Sequence, residues 1–170
     1  MQDYSALASD MQGDRKLAER YILNYEVEQA KYAEAKNDYF ASQQRGGEKV
    51  GSRGNMPGNP TQSTAIRSAQ YDLDNPAYLW LQAVGIALKT FGERKRIFIA
   101  VRQEAAQNGH YNEGKPGRRA WVVYTQRRYS EEIGKRFLGN AGWMSERTMR
   151  AWWSQIVERV VEIYLRISQK

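Results

Sequence analysis

The sequence of 170 residues contains no cysteine and a single histidine, His110. Without thiols the chain cannot form disulfides or thiolate metal sites, so an apolar core must hold its fold, as is usual in a reducing compartment. One histidine has no second imidazole or thiol with which to share a metal or activate a nucleophile. The sequence therefore predicts no metal site, no cofactor and no catalytic residue, and it favours a cytoplasmic protein that is not an enzyme.

Long apolar runs are also missing, because no stretch approaches the roughly 18 residues that cross a bilayer. The first residues lack the basic and then apolar pattern of a leader, so we expect a soluble chain without a membrane partner. Aspartates are few and scattered, which disfavours a two-metal nuclease. Glu131 and Glu132 are adjacent and would point about 100° apart on a helix, so they cannot easily act as a carboxylate pair.

Proline and glycine are absent between residues 14 and 44, where one helix is predicted. Its stripe alternates spacings of three and four residues, which is typical of an amphipathic helix that packs on a partner helix. The stripe consists of Ala18, Tyr21, Tyr25, Glu28, Tyr32, Ala35 and Tyr39.

Glycine and proline are instead concentrated in residues 45–62, which are predicted to be a mobile loop. A short helix is expected from Thr64 to Tyr71. Asn75 and Pro76 then provide an N-cap and a first helical residue for a long helix with its own apolar stripe. Gly85 and Gly92 lie seven residues apart on that helix, which predicts a close helix approach on one face. This long helix and the first one most simply form an antiparallel pair.

The formal net charge is +7, which makes nucleic acid the favoured partner. Residues 115–150 contain nine basic side chains and only three acidic ones. The basic residues are Lys115, Arg118, Arg119, Arg127, Arg128, Lys135, Arg136, Arg147 and Arg150.

Residues 130–139 and 145–153 resemble two capped helices joined by a turn. Ser130 and Ser145 stand at N-cap positions, and Glu131, Glu132 and Glu146 would complement the helix dipoles. This is the pattern of a helix-turn-helix, whose second helix presents its first residues to base edges. A third helix, from Arg118 to Arg128, is needed to complete a core with Ile133, Phe137, Leu138, Met149, Ile156 and one of Trp152 and Trp153. The last helix continues far enough to pack on the N-terminal unit or on a second copy.

The same two segments resemble the C-terminal end of phage late-gene transcriptional activators of the RinA and ArpU type. Gly54-Asn55-Met56-Pro57 and Pro60-Thr61, ahead of Ala65-Ile66, resemble the linker of that group. The resemblance implies a small helical activator with a helix-turn-helix similar to region four of sigma factors, which acts with RNA polymerase in the host cytoplasm. It places Glu146, Arg147 and Arg150 at base-reading positions. Asn140-Ala141-Gly142 make the turn longer than the family pattern.

The predicted fold is therefore all-α. We expect a tail at residues 1–13, a helical hairpin unit at 14–108 that contains the loop at 45–62, and a helix-turn-helix module at 118–170. Double-stranded DNA is the expected partner, with RNA polymerase and a second copy of the chain as further candidates. Lys115, Arg118, Arg119, Arg127, Arg128, Lys135 and Arg136 are the candidate phosphate contacts. The alternatives are a phage antiterminator of the Q type that binds RNA polymerase, and a small terminase subunit for DNA packaging.

Overall fold

Helices make up almost all of the chain that the structure describes. The structure is a computed structural model that describes residues 4–45, 60–108, 120–137 and 142–169. These ranges contain no strand, which confirms the all-α class. The helices are α1 (Tyr4–Leu23), α2 (Tyr25–Arg45), α3 (Pro60–Asp74), α4 (Pro76–Thr90), α5 (Glu93–Gln107), α6 (Ala120–Arg136) and α7 (Glu146–Ser168).

The N-terminal helix differs from its predicted bounds at both ends. Helix α1 begins at Tyr4, so most of the predicted tail at 1–13 is helical. Gly13 lies in open space inside α1, and one such glycine costs a helix only about 1 kcal/mol. The predicted helix at 14–44 is divided at Asn24, whose side-chain amide donates a 3.1 Å hydrogen bond to the carbonyl of Arg20. Such local side-chain bonds compete with the helical backbone pattern and often bend helices.

Tyrosines spaced by seven residues connect α2 to α3 and α4. The Tyr39 and Tyr71 rings are 4.7 Å apart, the Tyr32 and Tyr78 rings are 5.8 Å apart, and the Tyr25 hydroxyl lies 2.9 Å from where a Cβ at Gly85 would stand. Residue numbers fall along α2 as they rise along α3 and α4, so the two stretches run antiparallel. Close helix approach therefore explains Gly85.

A half-buried polar contact reinforces this pairing. The Tyr32 hydroxyl donates to the Asp72 carboxylate, and the Lys36 ammonium lies 2.6 Å from the same carboxylate. Burial, followed by the hydrogen bond to Asp72, raises the pKa of Tyr32. Helices α2 and α3 are therefore held together by a shared carboxylate as well as by rings.

The long helix predicted from residue 76 is two helices. Its start is confirmed, because the Asn75 side chain accepts a 3.0 Å hydrogen bond from the backbone N–H of Ala77 and Pro76 is the first helical residue. The break falls at Phe91 and Gly92, and Gly92 caps α5 with nothing within 4 Å of its position for a Cβ. The expectation that Gly85 and Gly92 share one face is therefore wrong, since Gly92 stands between helices. Helix α3 also begins at Pro60, inside the predicted loop at 45–62, and residues 46–59 lie outside the described ranges.

The two short helices predicted before the turn are one continuous helix, α6. Ser130 lies within it and caps nothing, because no proline or glycine interrupts the chain between residues 120 and 133. Glu131 and Glu132 accordingly lie in the last two turns of α6, where they form ion pairs one turn away instead of complementing the helix start. The cap at Ser145 is confirmed, since its Oγ accepts a 3.1 Å hydrogen bond from the backbone N–H of Thr148. The third helix of the small core is supplied by α5.

Arg102 occupies the centre of the contact between α5, α6 and α7. Its side chain is only 2% exposed. The guanidinium carbon lies 3.6 Å from the Trp121 ring centre and 4.5 Å from that of Trp153. The Trp153 indole N–H donates a 3.0 Å hydrogen bond to Glu19, which brings α1 to the same point. Of the two neighbouring tryptophans, Trp153 is thus the buried one, and Trp152 packs edge-on against Phe98.

The second half of α7 packs on the N-terminal helices. Its buried stripe is Ile156, Val157, Val160 and Ile163, and its most extensive contacts are with α4 and then α1. The Trp80 and Tyr164 rings stack 3.8 Å apart at this interface. The apolar breadth of the last helix is therefore explained by packing within one chain.

We expect Gly13→Ala to raise the free energy of unfolding by about 0.5–1 kcal/mol, because alanine favours helix and the new Cβ meets nothing. Gly85→Ala should lose this gain, because its Cβ would stand 2.9 Å from the Tyr25 hydroxyl. In a Tyr25→Phe background the gain should return. Urea unfolding of the single and double variants measures this coupling. Equal effects of Gly85→Ala in both backgrounds would contradict the close approach.

Arg102→Ala is expected to cost about 3 kcal/mol of unfolding free energy, since it leaves a cavity and removes two cation–π contacts. Arg102→Lys should be intermediate because the lysine ammonium cannot stack as a planar group. Arg96→Ala, an exposed arginine on the same helix, is the matched control and should change stability by less than about 0.5 kcal/mol. If Arg102→Ala and Arg96→Ala unfold at the same urea concentration, the central role of Arg102 is refuted.

Candidate nucleic-acid interface

The first turn of α7 carries the strongest candidate contact, Arg147. The Ser145 cap fixes where the helix begins, and Arg147 stands about 160° around the axis from the fully buried Met149. Its side chain is exposed, and it makes no hydrogen bond or ion pair within the described ranges. An exposed guanidinium at the start of a capped helix can reach into a groove and donate two parallel hydrogen bonds to a guanine edge.

Glu146 and Arg150, the other predicted base-reading residues, contact each other. The Arg150 guanidinium donates to the Glu146 carboxylate at 2.7 Å and 2.9 Å, one helical turn away. The Arg150 side chain is exposed, and its guanidinium carbon lies 5.8 Å from the Trp121 ring centre. Arg150 would therefore have to exchange Glu146 for a base, whereas Arg147 needs no rearrangement.

Arg127 and Arg128 are neighbours in the sequence but lie in different environments. Arg127 is exposed on α6, and its one ion pair within the described ranges is a long 3.7 Å contact with Glu131. Arg128 is half-buried and donates to Glu131 at 2.7 Å and to Glu104 of α5 at 3.2 Å. The hydrogen bond to Glu131 and that to Glu104 raise the pKa of Arg128. Arg127 therefore remains well placed for a phosphate, while Arg128 ties α6 to α5.

Glu104 accepts a second hydrogen bond from α6, in addition to the one from Arg128. The Tyr124 hydroxyl donates to its carboxylate, and this bond, together with Arg128, lowers the pKa of Glu104 below its ordinary value. Glu104 therefore stays ionised at neutral pH and keeps Arg128 directed at α5.

The remaining predicted phosphate contacts are spread over the end of α6 and beyond. Lys135 is exposed and pairs with Glu132 at 3.0 Å, and Arg136 lies 3.6 Å from Glu93 at the start of α5. Lys115, Arg118 and Arg119 lie outside the described residues.

Trp143 is a candidate contact that the sequence pattern did not single out. It is 70% exposed and lies just before the Ser145 cap. The turn beside it is anchored, because Met144 is buried and its carbonyl accepts a 3.0 Å hydrogen bond from the Gln126 side chain of α6. An exposed tryptophan on an anchored turn is available to a partner, because it offers a large apolar ring and an N–H donor. Its signal in the sequence is a tryptophan that follows Gly142 in a turn rather than on a helical stripe.

A second basic group, Arg94-Lys95-Arg96, lies in the first turn of α5 and was also not predicted from the sequence pattern. Arg94 lies over the Phe137 ring at 5.3 Å, and Lys95 donates to Gln155 of α7 at 3.1 Å. The run of three consecutive basic residues in the sequence could have indicated this group. Arg94 and Lys95 make intramolecular contacts, and Arg96 is exposed near Arg136.

Within the described residues, no group of histidine, aspartate or glutamate side chains is arranged to hold a metal ion. The same portion of the chain holds no helix that is both long and apolar enough to cross a membrane. Helices α6 and α7 expose guanidinium and ammonium groups, and the segment before α7 exposes the Trp143 indole. Such cationic groups suit an anionic partner.

Comparison with models of known protein families, with curated proteins and with solved structures finds no match for this chain.

Proposed function

We propose that this protein is a sequence-specific DNA-binding regulator of transcription that places the start of α7 in the major groove. The observation that carries the proposal is Arg147, an exposed guanidinium in the first turn of a capped helix that has no hydrogen bond or ion pair among the described residues. Arg150 one turn further provides a second donor group on the same end of the helix. Base discrimination would rest on these two side chains.

Phosphate contacts would supply most of the affinity. Arg127 and Lys135 are exposed on α6, which precedes α7 as the first helix of a helix-turn-helix precedes its recognition helix. The turn between α6 and α7 is longer than the usual three to four residues. The hydrogen bond between Gln126 and the Met144 carbonyl attaches the last part of this turn to α6.

The role in transcription rests on the resemblance to phage late-gene activators of the RinA and ArpU type. In that role the protein would bind upstream of a late promoter and recruit or contact RNA polymerase. The test is transcription by purified polymerase on a template that carries the bound site. Stimulation that depends on the site supports an activator, and read-through of a terminator without site-dependent initiation would instead indicate an antiterminator.

Arg147→Ala should reduce discrimination between a selected duplex and a random duplex by about 1–3 kcal/mol. Arg127→Ala should weaken binding to both duplexes alike and lower the slope of log affinity against log salt by about one. The selected duplex comes from a random pool enriched on the wild-type protein, and affinities are measured by fluorescence anisotropy over a salt series.

Arg166→Ala is the matched control, because it removes the same charge from an exposed site at the far end of α7. It should leave discrimination unchanged and alter the salt slope less than Arg127→Ala does. If Arg147→Ala and Arg166→Ala discriminate equally well, α7 does not read bases through its first turn.

Trp143→Ala should weaken duplex binding about tenfold with little change in stability, because its ring is exposed in the free protein. Iodide quenching of tryptophan fluorescence supplies an independent measurement. DNA should protect the wild-type protein from iodide, and Trp143→Phe should abolish most of the protected signal. Unchanged iodide quenching upon saturation with duplex would place Trp143 outside the interface.

A further inference from the structure

Helix α3 is attached to the rest of the described chain by one face only. Tyr71 packs on Tyr39 of α2, and Asp72 binds Tyr32 and Lys36. The opposite face carries two large apolar side chains, Ile66 and Leu73, which are 62% and 64% exposed. A short helix covered on one side gains little from packing, so a second partner on the open side would stabilise it.

These two apolar residues form a ridge. Seven residues separate Ile66 from Leu73, so they stand about 20° apart around the helix axis, whereas Tyr71 stands about 160° from Leu73. The small Ala69 is exposed between them. The ridge therefore points directly away from α2, and no described part of the same chain covers it.

Charges flank the ridge in a self-complementary order. Arg67 directly follows Ile66, and Asp74 directly follows Leu73, so both charges lie on one flank about 20° apart. When two copies of such a helix pack antiparallel and are centred on Gln70, Ile66 of one copy meets Leu73 of the other. Arg67 of each copy then faces Asp74 of the other, which makes two symmetric ion pairs.

We propose that α3 is a self-association surface, on which a second copy of this chain docks its own α3 in antiparallel orientation. The charge pattern favours a second copy over other occupants, because the same surface supplies both the positive and the negative partner. DNA is disfavoured, since the described side chains of α2 and α3 include six acidic and three basic groups. The surface lies on helices that carry none of the proposed duplex contacts.

Mass in solution tests this proposal on the full-length protein without DNA, by sedimentation equilibrium over a concentration series. The wild-type protein should be a reversible dimer. Leu73→Glu should weaken dimerisation at least tenfold, because it buries a carboxylate against Ile66 of the other copy. Val123→Glu is the matched control, since Val123 is equally exposed at 64% but lies on α6. It should dimerise as the wild-type protein does.

A charge exchange tests the orientation. Arg67→Asp and Asp74→Arg should each weaken the dimer, because each places like charges opposite one another. The double variant Arg67→Asp/Asp74→Arg should dimerise again, because opposite charges face each other once more. An equimolar mixture of the two single variants should dimerise for the same reason. Circular dichroism of each variant establishes that α3 and the rest of the chain remain folded.

A wild-type monomer throughout the concentration series would overturn the proposal, and so would a dimer that survives Leu73→Glu. Loss of dimer in Leu73→Glu without rescue in the charge exchange would overturn the antiparallel pairing. These measurements contain no DNA, so a monomeric wild-type protein would not contradict the proposed duplex binding. Likewise, a protein that does not bind duplex DNA could still dimerise through α3.

Discussion

A guanidinium held between two indole rings is the contact on which the C-terminal half of the molecule depends. Arg102 extends from α5, Trp121 from α6 and Trp153 from α7, so three helices meet at one planar cation. Both rings exclude water from the charge while their π faces stabilise it. The Trp153 indole also binds Glu19, which adds α1 to the cluster. Helices α6 and α7 contact each other only sparsely, since α6 packs mainly on α5 and α7 mainly on α4 and α1. Arg102 is therefore a direct side-chain link between these two groups of helices.

The helical content was predictable because periodicity is a local property. Asn75 with Pro76, and Ser145, give side-chain caps that depend only on nearby residues, and both are present. Ser130 has the same chemistry, yet α6 continues through it, because nothing in the chain breaks the preceding helix. A cap is therefore predictable where a proline or glycine lies close to it in the sequence, as Pro76 does for Asn75 and Gly142 for Ser145. Where the helix can continue, serine is a neutral interior residue.

The tertiary partners were less accessible to sequence reasoning. The tyrosine stripe of α2 was visible, but its register against Tyr71, Tyr78 and Gly85 depends on a turn that the sequence does not determine. Arg102 gave no signal, because a lone arginine on a helix is usually solvated and its two tryptophans lie far away in the chain. Among the candidate contacts, Arg147 and Arg150 were predicted from their places near the start of a helix. The separation of Arg127 from Arg128 required knowledge of Glu104 on another helix.

The length of α7 has a consequence for how the protein can be divided. One face of its first two turns exposes Arg147 and Arg150, while the other face is buried. Its later turns pack against α4 and α1, with Tyr164 stacked on Trp80. A fragment that starts after residue 117 would keep the arginines but expose Ile156, Val160 and Ile163. Helix α7 thus joins the exposed arginines near its start to the packing on α4 and α1 further along. Any shift of that packing would be transmitted along a single helix to Arg147 and Arg150.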